Sequence, residues 1–167
     1  MVIEPRGPLA GDVRAFGAKN AVLKQMAACL LASGTHTLRN VPDIVDVGIM
    51  AQLLESLGCR VVRGEHEVTV SVPAAHDLAT QAPGELFQAM RASIVVLGPL
   101  LARCAEAEMA LPGGDDFGQR PINYHTDGLT SMGAHFHNDP RWIRAKSDGR
   151  LRASHITLEY PSHTATD

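Results

Sequence analysis

The feature that most constrains the fold is an internal repeat. Residues 20–42 read NAVLKQMAACLLASGTHTLRNVP, and residues 90–112 read MRASIVVLGPLLARCAEAEMALP. Each stretch predicts a helix, a short break and a strand that ends at a proline, and Pro112 is as far along the chain from Pro42 as Leu100 is from Leu30. Similar stretches that recur at one offset indicate a fold that uses one supersecondary unit more than once.

Both copies continue with the same elements after the proline. Residues 43–58 have apolar side chains at a helical period, and residues 122–133 form a shorter counterpart. Residues 59–72 and 134–146 then each predict a hairpin, because turn-forming residues interrupt runs that favour strand. The unit is therefore helix, strand, helix, strand, strand, and the fold class is α/β.

A third unit begins after the second hairpin. Residues 151–160, LRASHITLEY, predict a strand, and residues 161–167, PSHTATD, carry the proline and the Ser, Thr and Asp residues that are typical of a helix start. We place unit one at about residues 11–72, unit two at about 78–146 and the start of unit three at 150–167. A repeat fold without its third helix has an apolar sheet face uncovered, so we expect a fragment that needs further chain or a partner chain.

Unit two contains a loop that unit one lacks. Gly58 and Gly133 stand where helices commonly end, and they are further apart in the chain than the prolines that end the two strands. The additional residues fall in LPGGDDFGQRP, residues 111–121. An insertion in one copy of a repeat favours a functional loop. The alternative is a solvated turn, because Gly-Gly-Asp-Asp is common turn composition.

Composition disfavours several classes of protein. Net charge is −3 and no Lys/Arg run occurs, which argues against a nucleic-acid protein that neutralises phosphates. The three cysteines match no metal motif and lie in apolar runs, so they predict reduced, buried thiols in a cytoplasmic protein. No stretch predicts a signal peptide or a membrane span. His135 and His137 alternate on a strand without a third ligand nearby, which favours surface histidines over a metal site.

Six segments follow one another in the order and spacing of a known family. They are GAKNA (17–21), LRNVPDIVDV (38–47), LLESLGCRV (53–61), MRASI (90–94), LPGG (111–114) and GQRPINYH (118–125). Together they resemble the N-terminal part of the UDP-N-acetylglucosamine 1-carboxyvinyltransferase (enolpyruvyl transferase) family. The resemblance implies an inside-out α/β barrel whose domains each contain three βαβαββ units. It also implies that the second domain of family members is absent from these residues.

The resemblance implies an enzyme reaction as well as a fold. The enolpyruvyl group of phosphoenolpyruvate passes to the 3-hydroxyl of UDP-N-acetylglucosamine and phosphate is released, with no metal or organic cofactor. In the cytoplasm this reaction opens peptidoglycan synthesis, and so it serves cell-wall biogenesis, cell shape, the cell cycle and cell division.

Four polar side chains are candidates for binding phosphoenolpyruvate. Lys19 and Asn20 lie at a turn into the first helix, where a lysine beside helix N–H groups favours an anion site. Arg91 opens the matching helix and Arg120 precedes Pro121, and guanidinium groups suit phosphate or carboxylate. The resemblance implies that all four contact phosphoenolpyruvate and that Asn20 and the two arginines also contact the nucleotide sugar. Without the resemblance, the same positions would be interpreted as a surface lysine, a helix cap and solvated arginines.

Asp115 stands where many family members carry a cysteine. The resemblance implies a catalytic role in proton transfer, and a carboxyl group serves as a general acid if its pKa rises in a site that excludes water. Because fosfomycin alkylates the cysteine of those members, the aspartate also predicts fosfomycin resistance. Asp116 has no matching role and reads as a solvated loop residue.

The other residues implied by the resemblance contact the nucleotide sugar. They are Pro121, Ile122, Asn123, Tyr124, His125, Tyr160, Ser162, His163 and Thr164. The sequence departs from the family here, because PINYH stands where many members have PVDLH, and His163-Thr164 replaces Val-Gly. Two alternatives therefore remain open. One is enolpyruvyl transfer to another uridine nucleotide, and the other is a truncated, non-catalytic relative that binds a nucleotide or a partner.

Overall fold

The computed structural model describes residues 7–8, 10–113, 121–159 and 161–162, without the side chain of Asn138. Its α-helices are α1 (Lys19–Ala28), α2 (Val45–Ser56), α3 (Gly84–Gln88), α4 (Leu97–Cys104) and α5 (Asn123–Ser131). Its strands are β1 (Gly34–Arg39), β2 (Arg60–Gly64), β3 (Glu67–Val72), β4 (Glu106–Ala110), β5 (Ala134–Asn138) and β6 (Trp142–Ser147). Three 3₁₀ helices cover Cys29–Leu31, Ala75–Asp77 and Arg91–Val96.

Two three-stranded sheets with the same topology confirm the repeat. One has the order β1-β3-β2 and the other β4-β6-β5, and every adjacent pair is antiparallel. Trp142, the first residue of β6, follows Glu67, the first residue of β3, at the spacing that separates the two glycine caps. Gly58 and Gly133 both have left-handed backbones, with φ of 98° and 100°, a conformation that glycine adopts with little strain.

The helices and one face of each sheet form the core. In unit one, Met26 of α1, Met50 and Leu54 of α2 and Val70 of β3 are all fully buried in one apolar cluster. Alternation along β3 places Val68, Val70 and Val72 on this face, because successive strand residues point to opposite sides. Burial of this stripe is the main stabilising contribution of the sheet.

The opposite face of the first sheet is polar. Thr35 of β1 is hydrogen-bonded to Ser71 of β3, with 3.2 Å between their hydroxyl oxygens, and Thr37 is hydrogen-bonded to Thr69 at 3.4 Å. These β-branched and hydroxyl side chains favour strand and can remain in water. The sequence therefore pairs one apolar face with one solvated face.

Arg103 of α4 joins the two units. Its Nη1 donates to the Leu30 carbonyl oxygen at 2.8 Å, and its Nη2 donates to the Pro73 carbonyl oxygen at 3.3 Å. The Leu30 carbonyl lies at the end of the first helical segment of unit one, and the Pro73 carbonyl lies just after β3, where unit one ends. One side chain thus satisfies two backbone acceptors at the contact between the copies.

Residues 151–159 form no strand, so the strand predicted for residues 151–160 is wrong over its described part. A strand needs a neighbouring strand for its backbone groups, and none pairs with this segment in the part of the chain that the structure describes. The corresponding segment of unit two makes a single parallel bridge between Gln81 and Glu108 of β4. The predicted helix start at residues 161–167 lies mostly outside the described residues, and Pro161 and Ser162 are not helical.

The first helix of unit two begins as the 3₁₀ helix Arg91–Val96 and becomes α-helical only at Leu97. Pro99 has no N–H to donate to the Val95 carbonyl, and it lies in the first turn of α4, where a missing donor is tolerated. The helix itself was predicted, but its tighter first part was not.

The cysteines are free thiols, as predicted. Cys29 and Cys59 are buried and Cys104 is partly buried. Burial raises the pKa of all three, and that of Cys59 reaches about 11, because a thiolate is poorly solvated there. Among the described residues, no helix has both the length and the apolar character needed to cross a membrane.

Candidate functional site

Lys19 is the first residue of α1, and it is held by a carboxylate from the next helix. Its Nζ lies 2.9 Å from Oδ1 of Asp46, in the first turn of α2. The first turn of α1 has no acidic residue and its N-cap, Ala18, offers no side-chain cap, so the dipole end stays positive. Asn20 follows on the exposed surface. Lys19 and Asn20 therefore lie at the start of the first helix, as the sequence predicted, and their contact with phosphoenolpyruvate stays a prediction.

Arg91 is the first residue of the 3₁₀ helix Arg91–Val96, and it reaches the start of α5. Its Nη2 donates a hydrogen bond to the Pro121 carbonyl oxygen at 2.9 Å. Pro121 is the counterpart of Asp46, because it follows that residue at the same spacing at which Gly133 follows Gly58. In each unit, a basic residue at the start of the first helix contacts the start of the second helix. The contacted residue is Asp46 in α2 of unit one and Pro121, just before α5, in unit two.

Residues 121–125 form the entrance to α5. Ile122 is its N-cap, and the His125 amide donates to the Ile122 carbonyl oxygen at 2.9 Å to close the first turn. Asn123 is exposed, while Tyr124 and His125 are partly buried. The sequence predicted that these residues contact a nucleotide sugar, and the structure brings them next to Arg91.

His125 has a lowered pKa. Burial is the larger cause and the positive charge of Arg91 the smaller, because both disfavour the imidazolium. Both causes therefore favour the neutral imidazole. A neutral imidazole both donates and accepts hydrogen bonds, which suits it to polar groups of a ligand more than to bare anions.

An apolar groove of about 600 Å³ opens beside this entrance, between α1, α4, α5 and residues 151–158. Its lining includes the polar side chains of Lys24, Tyr124 and His125. The other lining residues are Ala27, Ala28, Leu31, Ile94, Val95, Leu97, Gly98, Pro99, Ala102, Gly128, Leu129, Met132, Leu151, Ile156 and Leu158.

The groove is an uncovered apolar surface among the described residues, but its position corrects the prediction. We predicted an uncovered sheet face, whereas the groove lies between helices. The outer face of the first sheet carries threonine and serine hydroxyl groups, which can remain exposed to water. Leu31 and Ile156 at the groove are 52% and 46% exposed, so the apolar lining of the groove extends onto the surface.

Several predicted residues lie outside the described residues. They are Asp115, Arg120, Tyr160, His163 and Thr164. Ser162 is described and partly exposed. The sequence did not single out Asp46, whose partner Lys19 belongs to a different helix. The only sequence signal was its place in the first turn of a helix, where a carboxylate is favoured by the dipole.

The described residues contain no group of three His, Cys, Asp or Glu side chains placed to hold a metal ion. His135 is exposed and lies 3.5 Å from Asp148, measured from Nε2 to Oδ2. That contact fits the predicted surface histidine.

The repeated unit and its sheet topology define an α/β fold of the enolpyruvyl transferase type. The solved enolpyruvyl transferase NikO from Streptomyces tendae superposes with a TM-score of 0.70 at 21% identity, over 86% of this chain and 31% of that one. An EPSP synthase from Acinetobacter baumannii superposes with a TM-score of 0.69 at 18% identity, over 93% of this chain and 36% of that one. These similarities confirm the predicted fold class.

The family described as EPSP synthase (3-phosphoshikimate 1-carboxyvinyltransferase) matches residues 3–167, and the chain belongs to this family. It is 46% identical to the UDP-N-acetylglucosamine 1-carboxyvinyltransferase of Anaeromyxobacter dehalogenans (strain 2CP-C), over 100% of this chain and 40% of that protein. It is also 46% identical to the enzyme of the same name from Corynebacterium efficiens, over 95% of this chain and 37% of that protein. The chain thus spans about 40% of the length of these relatives.

Proposed function

We propose that this chain is part of an enolpyruvyl transferase that acts in peptidoglycan synthesis in the cytoplasm. The enolpyruvyl group of phosphoenolpyruvate passes to the 3-hydroxyl of UDP-N-acetylglucosamine, and phosphate is released. The observation that carries the proposal is the 46% identity to enzymes of this name along the whole chain. The basic residue at the first helix start of each unit supports it, since both substrates are anionic.

The chain's own residues divide between anion binding and proton transfer. Lys19, Asn20, Arg91 and Arg120 bind phosphoenolpyruvate, and the last three also face the nucleotide sugar. Residues 121–125, Tyr160, Ser162, His163 and Thr164 hold the nucleotide. The hydroxyl oxygen of the sugar gives its proton to a base from the rest of the enzyme and bonds to C2 of phosphoenolpyruvate, while Asp115 gives a proton to C3. The bond from C2 to the phosphate oxygen then breaks, and a C3 proton returns to the Asp115 carboxylate, which restores the double bond and releases phosphate.

Binding is the first test of this assignment. Titration calorimetry of the 167-residue protein is expected to detect UDP-N-acetylglucosamine, and Arg91→Gln to weaken it by roughly tenfold or more, as loss of a charge-assisted contact does. Arg63→Gln is the matched control, because this arginine lies on β2 and pairs with Asp43 in unit one. Equal effects of the two substitutions would contradict the assignment of Arg91.

The chain also requires further polypeptide for turnover. Two observations support this requirement: the apolar groove is uncovered, and the chain spans about 40% of the length of its relatives. We expect no phosphate release from the isolated chain with both substrates present. Turnover by the 167 residues alone would refute this requirement.

Asp115 predicts resistance to fosfomycin. In a chimera where this chain replaces the matching part of the Anaeromyxobacter dehalogenans relative, mass spectrometry should find no fosfomycin adduct at position 115. Asp115→Cys should gain the adduct, because a thiolate is the stronger nucleophile. Asp116→Cys is the matched control and should react far more slowly. An adduct at both positions would show general thiol exposure rather than a site.

A second acceptor is favoured by one observation. Asn123, the exposed first residue of α5, stands where many family members have aspartate, and it lacks that charge. Phosphate release by the chimera across a series of uridine nucleotides separates the two functions. Activity confined to UDP-N-acetylglucosamine would eliminate the second, and faster turnover of another uridine nucleotide would replace the first.

A further inference from the structure

The corner between α3 and the following 3₁₀ helix contacts both residues that flank segment 114–120. On one side, the Gly113 amide donates to the Phe87 carbonyl oxygen at 3.3 Å. On the other, the Arg91 guanidinium donates to the Pro121 carbonyl oxygen at 2.9 Å. We call residues 87–93 the corner and the pair Gly113 and Pro121 the loop base.

Gly113 packs closely against Gln88 of the corner. A Cβ at this position would collide with the Gln88 carbonyl oxygen and would also crowd the Gln88 carbonyl carbon and Cα. Only glycine fits without a shift of backbone on one side or the other. The approach therefore fixes where the chain leaves β4 toward the loop.

Ser93 stabilises the corner from inside. It is fully buried, and its hydroxyl lies 2.7 Å from the Phe87 carbonyl oxygen and 2.9 Å from that of Met90. The Phe87 carbonyl therefore accepts from both Ser93 and Gly113. Met90 directly precedes Arg91, so the same hydroxyl links the two points at which the loop base is held.

Unit one has a comparable crossing without an inserted loop, although its tight glycine lies on the segment before the helix rather than on the one after the strand. A Cβ on Gly17 would collide with the Asn40 carbonyl oxygen, and Lys19 reaches Asp46 across the helix starts. The recurrence shows that the crossing belongs to the repeated architecture. In unit two the crossing has the additional residues between its two contacts.

We propose that the corner is a two-point clamp on the loop base, in which Ser93 and Gly113 are positioning residues for Arg91 and for the nucleotide-sugar contacts at the entrance to α5. The inference rests on the proposed function for its chemical consequence. The clamp itself rests on the contacts of the described residues. A clamp differs from two separate contacts in one respect: disturbing one point loosens the other.

Amide hydrogen exchange of the 167-residue protein tests this coupling. Ser93→Ala removes the buried hydroxyl, and we expect about five- to tenfold faster exchange at both the Gly113 and the His125 amides, as loss of a hydrogen bond near each would cause. The His125 amide reports the far side because it closes the first turn of α5 after Pro121. Faster exchange at Gly113 with no change at His125 would overturn the clamp.

Gly113→Ala is the second variant if Ser93→Ala does not fold, and it too should quicken exchange at His125. Gly58→Ala is the matched control, because its left-handed backbone and its closeness to the Asp77 carbonyl oxygen make it destabilising in unit one. When compared at an unfolding free energy equal to that of Ser93→Ala, this control should leave exchange at the Gly113 and His125 amides unchanged. Equal acceleration in the control would mean general loosening and would also overturn the clamp.

Calorimetry with UDP-N-acetylglucosamine separates the clamp from the proposed function. Ser93→Ala should raise Kd by roughly fivefold and Gly58→Ala by no more than about twofold, since only the first disturbs the loop base. If the unsubstituted protein does not bind, the proposed function fails for this chain while hydrogen exchange still decides the clamp. If it binds and Ser93→Ala binds equally well, the positioning role is overturned.

Discussion

Units one and two contain the same elements, but the contact between the starts of their first and second helices is made by different groups. In unit one, Lys19 meets the carboxylate of Asp46. In unit two, Arg91 meets a backbone carbonyl at the corresponding position, Pro121, which has no side-chain acceptor to offer. The crossing is kept although the residue types and the length of the intervening chain have changed. Architecture therefore fixes the entry and exit of the loop, and the inserted residues are free to differ in chemistry.

The largest expected effect comes from breaking the contact between the units. Arg103→Met removes two charge-assisted hydrogen bonds to carbonyls of unit one and should lower the free energy of unfolding by about 3 kcal/mol. Urea unfolding followed by circular dichroism measures it. Arg103→Lys, which keeps the charge but not the fork, should lose about half as much. A loss below about 0.5 kcal/mol for Arg103→Met would show that the units do not depend on this side chain.

The two tight glycines sharpen the comparison next. Gly17→Ala and Gly113→Ala each force a backbone shift and should each cost about 1–3 kcal/mol of unfolding free energy. Gly98→Ala is the control, because open space surrounds this glycine of α4 and alanine favours a helix by up to about 1 kcal/mol. Strongly unequal costs for Gly17 and Gly113 would mean that the two crossings are not equivalent.

Titration of His125 gives a smaller effect that is specific to unit two. Its pKa lies below the usual 6.5, so the unfolded chain binds the proton more readily. The resulting stability is present above about pH 6.5 and is lost as pH falls through the folded-state pKa. Arg91→Gln removes one cause and leaves burial, so the pKa should rise part of the way. NMR titration measures it, and an unchanged or lower pKa would contradict the electrostatic contribution of Arg91.

The exposed pair of unit one should contribute least. Lys19 is 57% exposed and Asp46 26%, so Asp46→Asn should lower the free energy of unfolding by no more than about 1 kcal/mol. Its thermal midpoint should depend less on salt than that of the unsubstituted protein, because screening acts on the pair. A large, salt-independent loss would point to a structural role for Asp46 beyond the ion pair.

The local signals of the sequence predicted most of these elements. Helical periods, hairpin turns and the glycine caps at Gly58 and Gly133 are set by neighbouring residues, so each can be recognised in isolation. The segment 151–159 was predicted wrongly for the opposite reason, because a strand depends on pairing with another strand, which a local sequence pattern does not specify.

The candidate site was predictable only in part. Lys19 and Arg91 stand at helix starts, as their sequence positions indicated. Their contacts with Asp46 and Pro121 and the close approach of Gly113 to Gln88 arise through space from residues far apart in the chain. Asp115 and Arg120 lie outside the described residues, and their roles stay predictions.

Turnover by the chimera with the Anaeromyxobacter dehalogenans relative tests the central claim most directly. Phosphate release and product mass are measured with phosphoenolpyruvate and UDP-N-acetylglucosamine, with the parent relative as the reference. We predict one phosphate released for each enolpyruvyl-UDP-N-acetylglucosamine formed, and loss of both with Arg91→Gln. A folded chimera that forms no such product while its parent does would contradict enolpyruvyl transfer to this acceptor.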